Sequence, residues 1–347
     1  MKIGSFDLSS TETFIIAELS ANHGNSLETA KETIKAAKKV GANAIKLQTY
    51  TADTLTLNST KEDFIVKGGT LWDHKTFYEL YQEAYTPWEW HEALFACAKE
   101  EGILCFSTPF DKSAVDFLEQ FNPPAYKVAS FEVTDYALVR YIASKKRPII
   151  ISTGIATLEE IEEVIAICKQ EGNHDIIILQ CTSAYPAPLE NANLRTISDI
   201  QERFGVIAGF SDHTLGITAP IAAVALGAKV IEKHFILDRS IGGADADFSL
   251  DVEAFTQMVD AVRDTEKLLG KPTYHHDAST IKGRQFSRSL YVAKDIAQGE
   301  ILSEENIRSV RPGYGLHPKY LNEILGKRAT MYIPFGTALN LKHFSEN

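Results

Sequence analysis

The chain has 347 residues, 44% hydrophobic and 23% charged, with 35 Lys+Arg against 46 Asp+Glu for a formal net charge of −11. That is ordinary globular composition and excludes a disordered chain. The acidic balance excludes a general nucleic-acid surface, which needs a basic stripe. An anionic substrate would then be held by a few local lysines and backbone N–H groups.

In chain order, the first ten residues lack the apolar core of a signal peptide. Eight short runs rich in Ile, Val and Phe follow, at 14–19, 44–50, 103–109, 125–130, 148–154, 175–183, 206–213 and 229–235. Their length and composition predict buried parallel strands. Amphipathic stretches separate them. After the first run, Leu27, Ala30, Ile34 and Ala37 share a helical face, with Ser26 as N-cap and Gly41 as terminator. After the fifth, Thr157 and Glu160 form a capping box, Leu158, Ile161, Ile165 and Cys168 make the apolar stripe, and Gly172 ends the helix. The second-to-last barrel helix is weakly marked. Residues 51–88, with Lys67-Gly68-Gly69 and Tyr78/Tyr81, form an insertion that is either a cover for a substrate or plain decoration.

Parallel strands need helical crossovers, so eight such units predict a (β/α)8 TIM barrel over residues 1–274. An open doubly wound sheet is the alternative, but no GxGxxG or Walker loop supports it. Within the barrel, the longest uncharged stretch, 217–228, is short of the ~20 residues of a membrane span, so no membrane partner is expected. Cys97, Cys105, Cys168 and Cys181 show no CxxC or metal-type spacing, which favours buried thiols in a reducing, cytoplasmic setting. A polar linker, 275–285, opens with His275-His276-Asp277. Residues 286–347 form a small β-rich domain in which Ile296-x-x-Gly299-x-x-Leu302 recurs as Ile333-x-x-Gly336-x-x-Leu339, with Ile307 and Phe344 in register. About 60 residues is near the lower limit for an independent core, so this domain is expected to pack on another surface.

Nearly every predicted strand ends in polar residues. Lys46/Gln48, Ser130/Glu132, Ser211/His213 and Glu232/His234 are spaced two apart and therefore share a face, while Glu18, Thr108, Lys127, Ser152 and Tyr185 add singly. Barrel enzymes carry their chemistry on that rim. Singly, each residue has a structural explanation as a cap, a solvated side chain or a satisfied histidine. Their convergence does not. His213 and His234 end neighbouring strands, and two imidazoles there can hold a divalent metal: Zn, Fe, Ni or Cu by imidazole preference, Mn, Co or Mg with oxygen ligands. Lys46 and Lys127, with hydroxyls nearby, suit a phosphate and a carboxylate together.

The motifs IIAELSANHGNS (15–26), IKLQTYT (45–51), FSTPFD (106–111), YKVASFE (126–132), ISTG (151–154), QCTSAYPAP (180–188), GFSDHTLG (209–216) and IEKHFILDRS (231–240) occur in family order. Together they resemble the sialic acid synthase family, which condenses phosphoenolpyruvate with N-acetylated amino-sugars. The tail resembles that family's antifreeze-like (SAF) domain. The resemblance implies that Lys46, Thr108, Lys127, Ser130, Ser152, Ser183 and Ser211 hold phosphoenolpyruvate, and that His213 and His234 bind Mn2+, Mg2+ or Co2+. It also implies that Gln48, Tyr185, Glu232, Asp245 and Arg311 hold the sugar. Glu18 and Glu132 are then the catalytic carboxylates, either one the principal base. Arg311 would act across a domain-swapped homodimer.

Within the family, ELSANH (18–23), residues 63–73 and RPGYGLHPK (311–319) look most like the branch that makes pseudaminic acid from 2,4-diacetamido-2,4,6-trideoxy-L-altrose. Ser20 and Ser183 stand where the N-acetylneuraminic branch tends to carry Gly and Asn. The alternatives are N-acetylneuraminic or legionaminic acid synthesis, a class I aldolase with a Schiff base on Lys46 or Lys127, and a non-catalytic carbohydrate-binding protein.

Overall fold

A computed structural model describes residues 1–67, 72–275 and 277–345, in two compact units, Met1–Gly270 and Lys271–Asn347. In the first, a two-stranded hairpin of residues 2–3 and 6–7 precedes a closed barrel of eight parallel strands. The strands are β1 (Phe14–Glu18), β2 (Ala44–Thr49), β3 (Leu104–Pro109), β4 (Tyr126–Val128), β5 (Ile149–Ser152), β6 (Ile176–Cys181), β7 (Ile207–Asp212) and β8 (Val230–His234), with β8 closing onto β1. The helices that follow them are α1 (Leu27–Lys39), α2 (His91–Glu101), α3 (Lys112–Glu119), α4 (Tyr136–Ser144), α5 (Leu158–Gln170), α6 (Thr196–Phe204), α7 (Thr218–Ala225) and α8 (Val252–Leu269).

Local chemistry sets these boundaries. The Ser26 side chain accepts from Thr29 N at the start of α1, and Gly41 supplies the left-handed residue (φ +90°) beyond its end. Such a cap is worth about 1 kcal/mol. The Thr157/Glu160 capping box opens α5. The apolar stripe of α5 holds from Ile161 onward, but Leu158 is 41% exposed, as is Ile155 before it at 47%. That first turn stands beyond the barrel's apolar layer, which corrects the expectation that Leu158 joins the stripe. The fourth strand is also shorter than predicted. A bond from Glu132 N to Ala129 O turns the chain out of the sheet, so Ser130–Glu132 is a 3-10 turn rather than a strand face.

Strand alternation splits the barrel interior into two layers. Phe14, Ile16, Ala44, Phe106, Ala125, Ile150, Ile177, Leu179 and Val230 fill one end with apolar side chains. One step further along the same faces come Glu18, Lys46, Thr108, Lys127, Ser152, Cys181, Ser211 and Glu232, all buried. Gly209 lets β7 approach β8 closely, since a Cβ there would lie 2.3 Å from the Val230 carbonyl oxygen. In the insertion, a helix at Phe77–Ala84 brings the ring of Tyr81 to 5.8 Å from Tyr50, and Tyr78 donates to Asp53. Gly68 and Gly69 lie outside the described residues.

In the second unit, β9 (Ser289–Val292) pairs antiparallel with β10 (Ile307–Val310). Ile296 bridges to Ile333, Gly299 and Gly336 both have positive φ (+80° and +76°), and Leu302, Leu339, Ile307 and Phe344 join one core. The sequence repeat therefore corresponds to two matching halves of this unit. A short helix, Ala278–Gly283, occupies part of the stretch read as linker. All four cysteines are buried and free. Among the described residues no helix is long and apolar enough to cross a membrane.

Candidate active site

The polar layer is a charge cluster shielded from solvent. Lys46 Nζ sits 2.9 Å from Glu18 Oε2 and 3.5 Å from Glu232 Oε1, and it donates to Thr108 Oγ1 at 3.3 Å. Lys127 Nζ donates to Ser152 Oγ (2.7 Å) and the Val128 carbonyl (3.0 Å), with Glu232 Oε1 3.7 Å away. Ser211 also donates to Glu232, at 3.0 Å. Glu232, expected among the sugar contacts, is thus placed as counter-ion to both lysines. Burial opposes its charge, but Lys127 and Lys46 outweigh this and hold its carboxyl down at about 2. Beside them, Ser130 and Ser183 hydroxyls bond each other over Gly154, where a Cβ would lie 2.1 Å from Ser183 Oγ. Two ammonium groups, four serine hydroxyls and that bare glycine are groups that could hold an anion.

Two other carboxyls differ from Glu232. Burial pushes both Glu18 and Glu132 up to about 7, the effect at Glu18 being opposed by Lys46. Glu18 is tied to Lys46 and to Gln48 Nε2, which donates to it at 3.0 Å. Oε2 of Glu132, like that of Glu18, is buried without a hydrogen bond, but among the described residues no ion pair reaches Glu132, whereas Lys46 lies 2.9 Å from Glu18. Glu132 is therefore the freer of the two to take a proton.

At the ends of β7 and β8 the rings of His213 and His234 lie 5.3 Å apart. Burial depresses both to about 3, so both are neutral near pH 7 with lone pairs available. His213 Nδ1 lies 3.1 Å from the Thr182 carbonyl, a contact that fixes the tautomer with Nδ1–H donating and Nε2 free. His234 Nδ1 is buried without a hydrogen bond, 3.6 Å from Asp245 Oδ2. Tyr185 stands 4.5 Å from the His213 ring, and Phe248 4.9 Å from that of His234. Trp72 of the insertion reaches Tyr185 at 6.0 Å, bringing part of the insertion over this mouth. Every expected site residue of the first unit lies at this end of the barrel. Arg311 belongs to the second unit, where it is exposed.

The NeuB family model matches residues 33–274, and the SAF domain model matches 287–345. The chain belongs to the NeuB family. A relative named pseudaminic acid synthase, from Campylobacter jejuni serotype O:23/36, is 57% identical over 99% of this chain and all of its own length. Another of that name, from Helicobacter pylori, is 47% identical over 94% of this chain and 96% of its own. The crystal structure of an N-acetylneuraminic acid synthetase from Leptospira borgpetersenii superposes with a TM-score of 0.73 at 30% identity, covering 82% of this chain and 94% of that one.

The donor set of this NeuB-family chain fits a divalent cation. Two neutral imidazoles face each other from adjacent strands, and one carries an orphaned buried nitrogen. Among the described residues no third His, Cys, Asp or Glu completes a ligand set. Oxygens of water or substrate would make up the rest, which suits an open rather than a closed site.

Sequence reasoning missed several residues of the NeuB-family site. Asn22 donates to the Phe235 carbonyl (3.0 Å) and to Ser249 Oγ (2.8 Å), and Ser249 donates to the Asp245 carbonyl, fastening the loop that presents Asp245. Asn22 stood in a recognised motif. Phe248 had no sequence signal at all, because its contacts with both histidines arise only from folding.

Proposed function

We propose that the chain condenses phosphoenolpyruvate with 2,4-diacetamido-2,4,6-trideoxy-L-altrose and water, giving pseudaminic acid and phosphate. The observation that carries the chemistry is the union, in one barrel mouth, of a two-lysine anion cradle with a pair of neutral imidazoles. The choice of sugar rests on the likeness to the Campylobacter and Helicobacter relatives and on Ser20 and Ser183.

In this reading Lys46, Lys127 and the hydroxyls of Thr108, Ser130, Ser152, Ser183 and Ser211 hold the phosphate and carboxylate of phosphoenolpyruvate. Gln48, Tyr185 and Asp245 orient the open-chain sugar, with Glu18 anchoring both Lys46 and Gln48. A divalent ion on His213 and His234 (Mn2+, Mg2+ or Co2+) would polarise the sugar's aldehyde carbonyl. The donor's C2–C3 π pair forms the bond from C3 to the aldehyde carbon, leaving C2 cationic, and the former aldehyde oxygen becomes a hydroxyl by taking the proton that Glu132 removes from water. Glu132 takes a proton from water as the water oxygen bonds to C2. Collapse of that tetrahedral centre breaks the bond from C2 to the bridging oxygen, which leaves with phosphate.

Incubation with both substrates should release phosphate one-for-one with a nine-carbon acid identified by mass spectrometry. Turnover of N-acetylmannosamine in place of the diacetamido sugar would overturn the choice of substrate. The reading extends to Arg311, which the family resemblance assigns to the sugar of a second copy in a domain-swapped homodimer. Arg311→Ala should raise the KM for sugar at least tenfold and leave that for phosphoenolpyruvate unchanged, and equal losses for both would contradict it.

A further inference from the structure

Immediately before each of the two histidines stands a charged residue that the proposed chemistry does not use. Asp212 ends β7 and Lys233 is the penultimate residue of β8, and the two are register partners across the neighbouring strands. Alternation turns them away from the barrel interior, where Ser211, Glu232 and His234 point. Both side chains are 0% exposed.

Lys233 Nζ donates to Asp212 Oδ2 at 2.5 Å and also to the Thr214 carbonyl, while Asp212 Oδ1 accepts from Thr214 N at 2.8 Å. The peptide that leaves His213 is therefore held by its N–H through Asp212, and the next carbonyl is held by Lys233 from the adjacent strand. A buried ion pair is a weak device for stability, since desolvation offsets most of its Coulombic attraction and apolar residues of the same size serve as well. These bonds instead converge on the turn that aims one imidazole, from the residue beside the other.

We infer that Asp212 and Lys233 are positioning residues that lock the exit of β7 onto β8, holding the rings of His213 and His234 5.3 Å apart so that both can reach one cation. The inference rests on the reading of those histidines as cation ligands. The pair acts through the backbone, touching neither substrate nor metal.

The test measures Mn2+ affinity of the metal-free full chain, from the spin-resonance signal of free Mn2+, for wild type, Asp212→Asn, the charge-neutral double variant Asp212→Asn/Lys233→Met, and His213→Ala. Asp212→Asn is isosteric and keeps an acceptor for Thr214 N, so it tests the idea even if the double variant does not fold. The expected result is a loss of Mn2+ affinity of about 10- to 100-fold in the double variant and a smaller loss in Asp212→Asn. Affinity for phosphoenolpyruvate should stay within about twofold, because the lysine cradle lies on the other face of the wall. Wild-type Mn2+ affinity in either folded variant, with loss in His213→Ala, would show the pair to be merely structural. Wild-type affinity in His213→Ala would instead overturn the cation-ligand reading beneath it.

Discussion

Replacing Glu132 with Gln should remove activity and yet stabilise the ligand-free protein at alkaline pH. The carboxyl ionises near 4.5 when free and at about 7 in the fold, chiefly because burial disfavours its charge, with Lys127 opposing this. Its folded pKa is the higher one, so its contribution to stability is fully present below pH 4.5 and is lost as pH rises through 7. At about 1.4 kcal/mol per pKa unit this loss amounts to about 3 kcal/mol. The residue keeps some solvent contact even though Oε2 is buried, so about 2 kcal/mol is the better expectation.

Gln cannot ionise. Thermal midpoints of the variant and wild type should therefore coincide near pH 4 and diverge by about 5 °C at pH 8, with the variant higher. Turnover by wild type should run the opposite way, rising through pH 7 as the base ionises. An equal difference in midpoint at pH 4 and pH 8 would refute the claim that burial holds this proton.

Gly154→Ala should raise the KM for phosphoenolpyruvate about tenfold or more, because its methyl group would lie 2.1 Å from the Ser183 hydroxyl and crowd the Ser130 hydroxyl at 3.1 Å, displacing both cradle serines, while the thermal midpoint changes little because both contacts are to side-chain tips. Steady-state kinetics at saturating sugar would read this. His213→Ala, or treatment of wild type with a chelator, should lower turnover at least a hundredfold without altering the circular dichroism spectrum. Full activity after chelation would end the metal reading. Borohydride with pyruvate should leave the chain unmodified by mass spectrometry: burial pushes the Lys127 ammonium below its usual range, but the group is held by Ser152 and Val128. A trapped adduct on Lys127 would favour the aldolase alternative.

What the sequence alone determined is periodic. Runs of Ile and Val marked the strands, caps such as Ser26 and Thr157 marked helix starts, and the two-residue alternation of a strand told which of Lys46, Gln48, Glu232 and His234 share a face. Self-similar spacing revealed the repeat in the small domain, and motif resemblance added the family. The limits were equally physical. Ser130 and Glu132 follow the spacing of a strand but lie in a turn, because one backbone bond to Ala129 ends the sheet. Leu158 fits the helical stripe and is exposed, because spacing cannot say where the apolar layer stops.

Only the tertiary structure decided the electrostatics. Glu18, Glu132 and Glu232 are the same side chain, and nothing in the sequence separates one held at about 2 from two pushed up to about 7. The difference comes from which charges the closed barrel sets within a few ångströms of each carboxyl, and how much water it removes. The Asp212–Lys233 pair was invisible for the same reason: its partners lie 21 residues apart in the chain and meet only when β7 and β8 align.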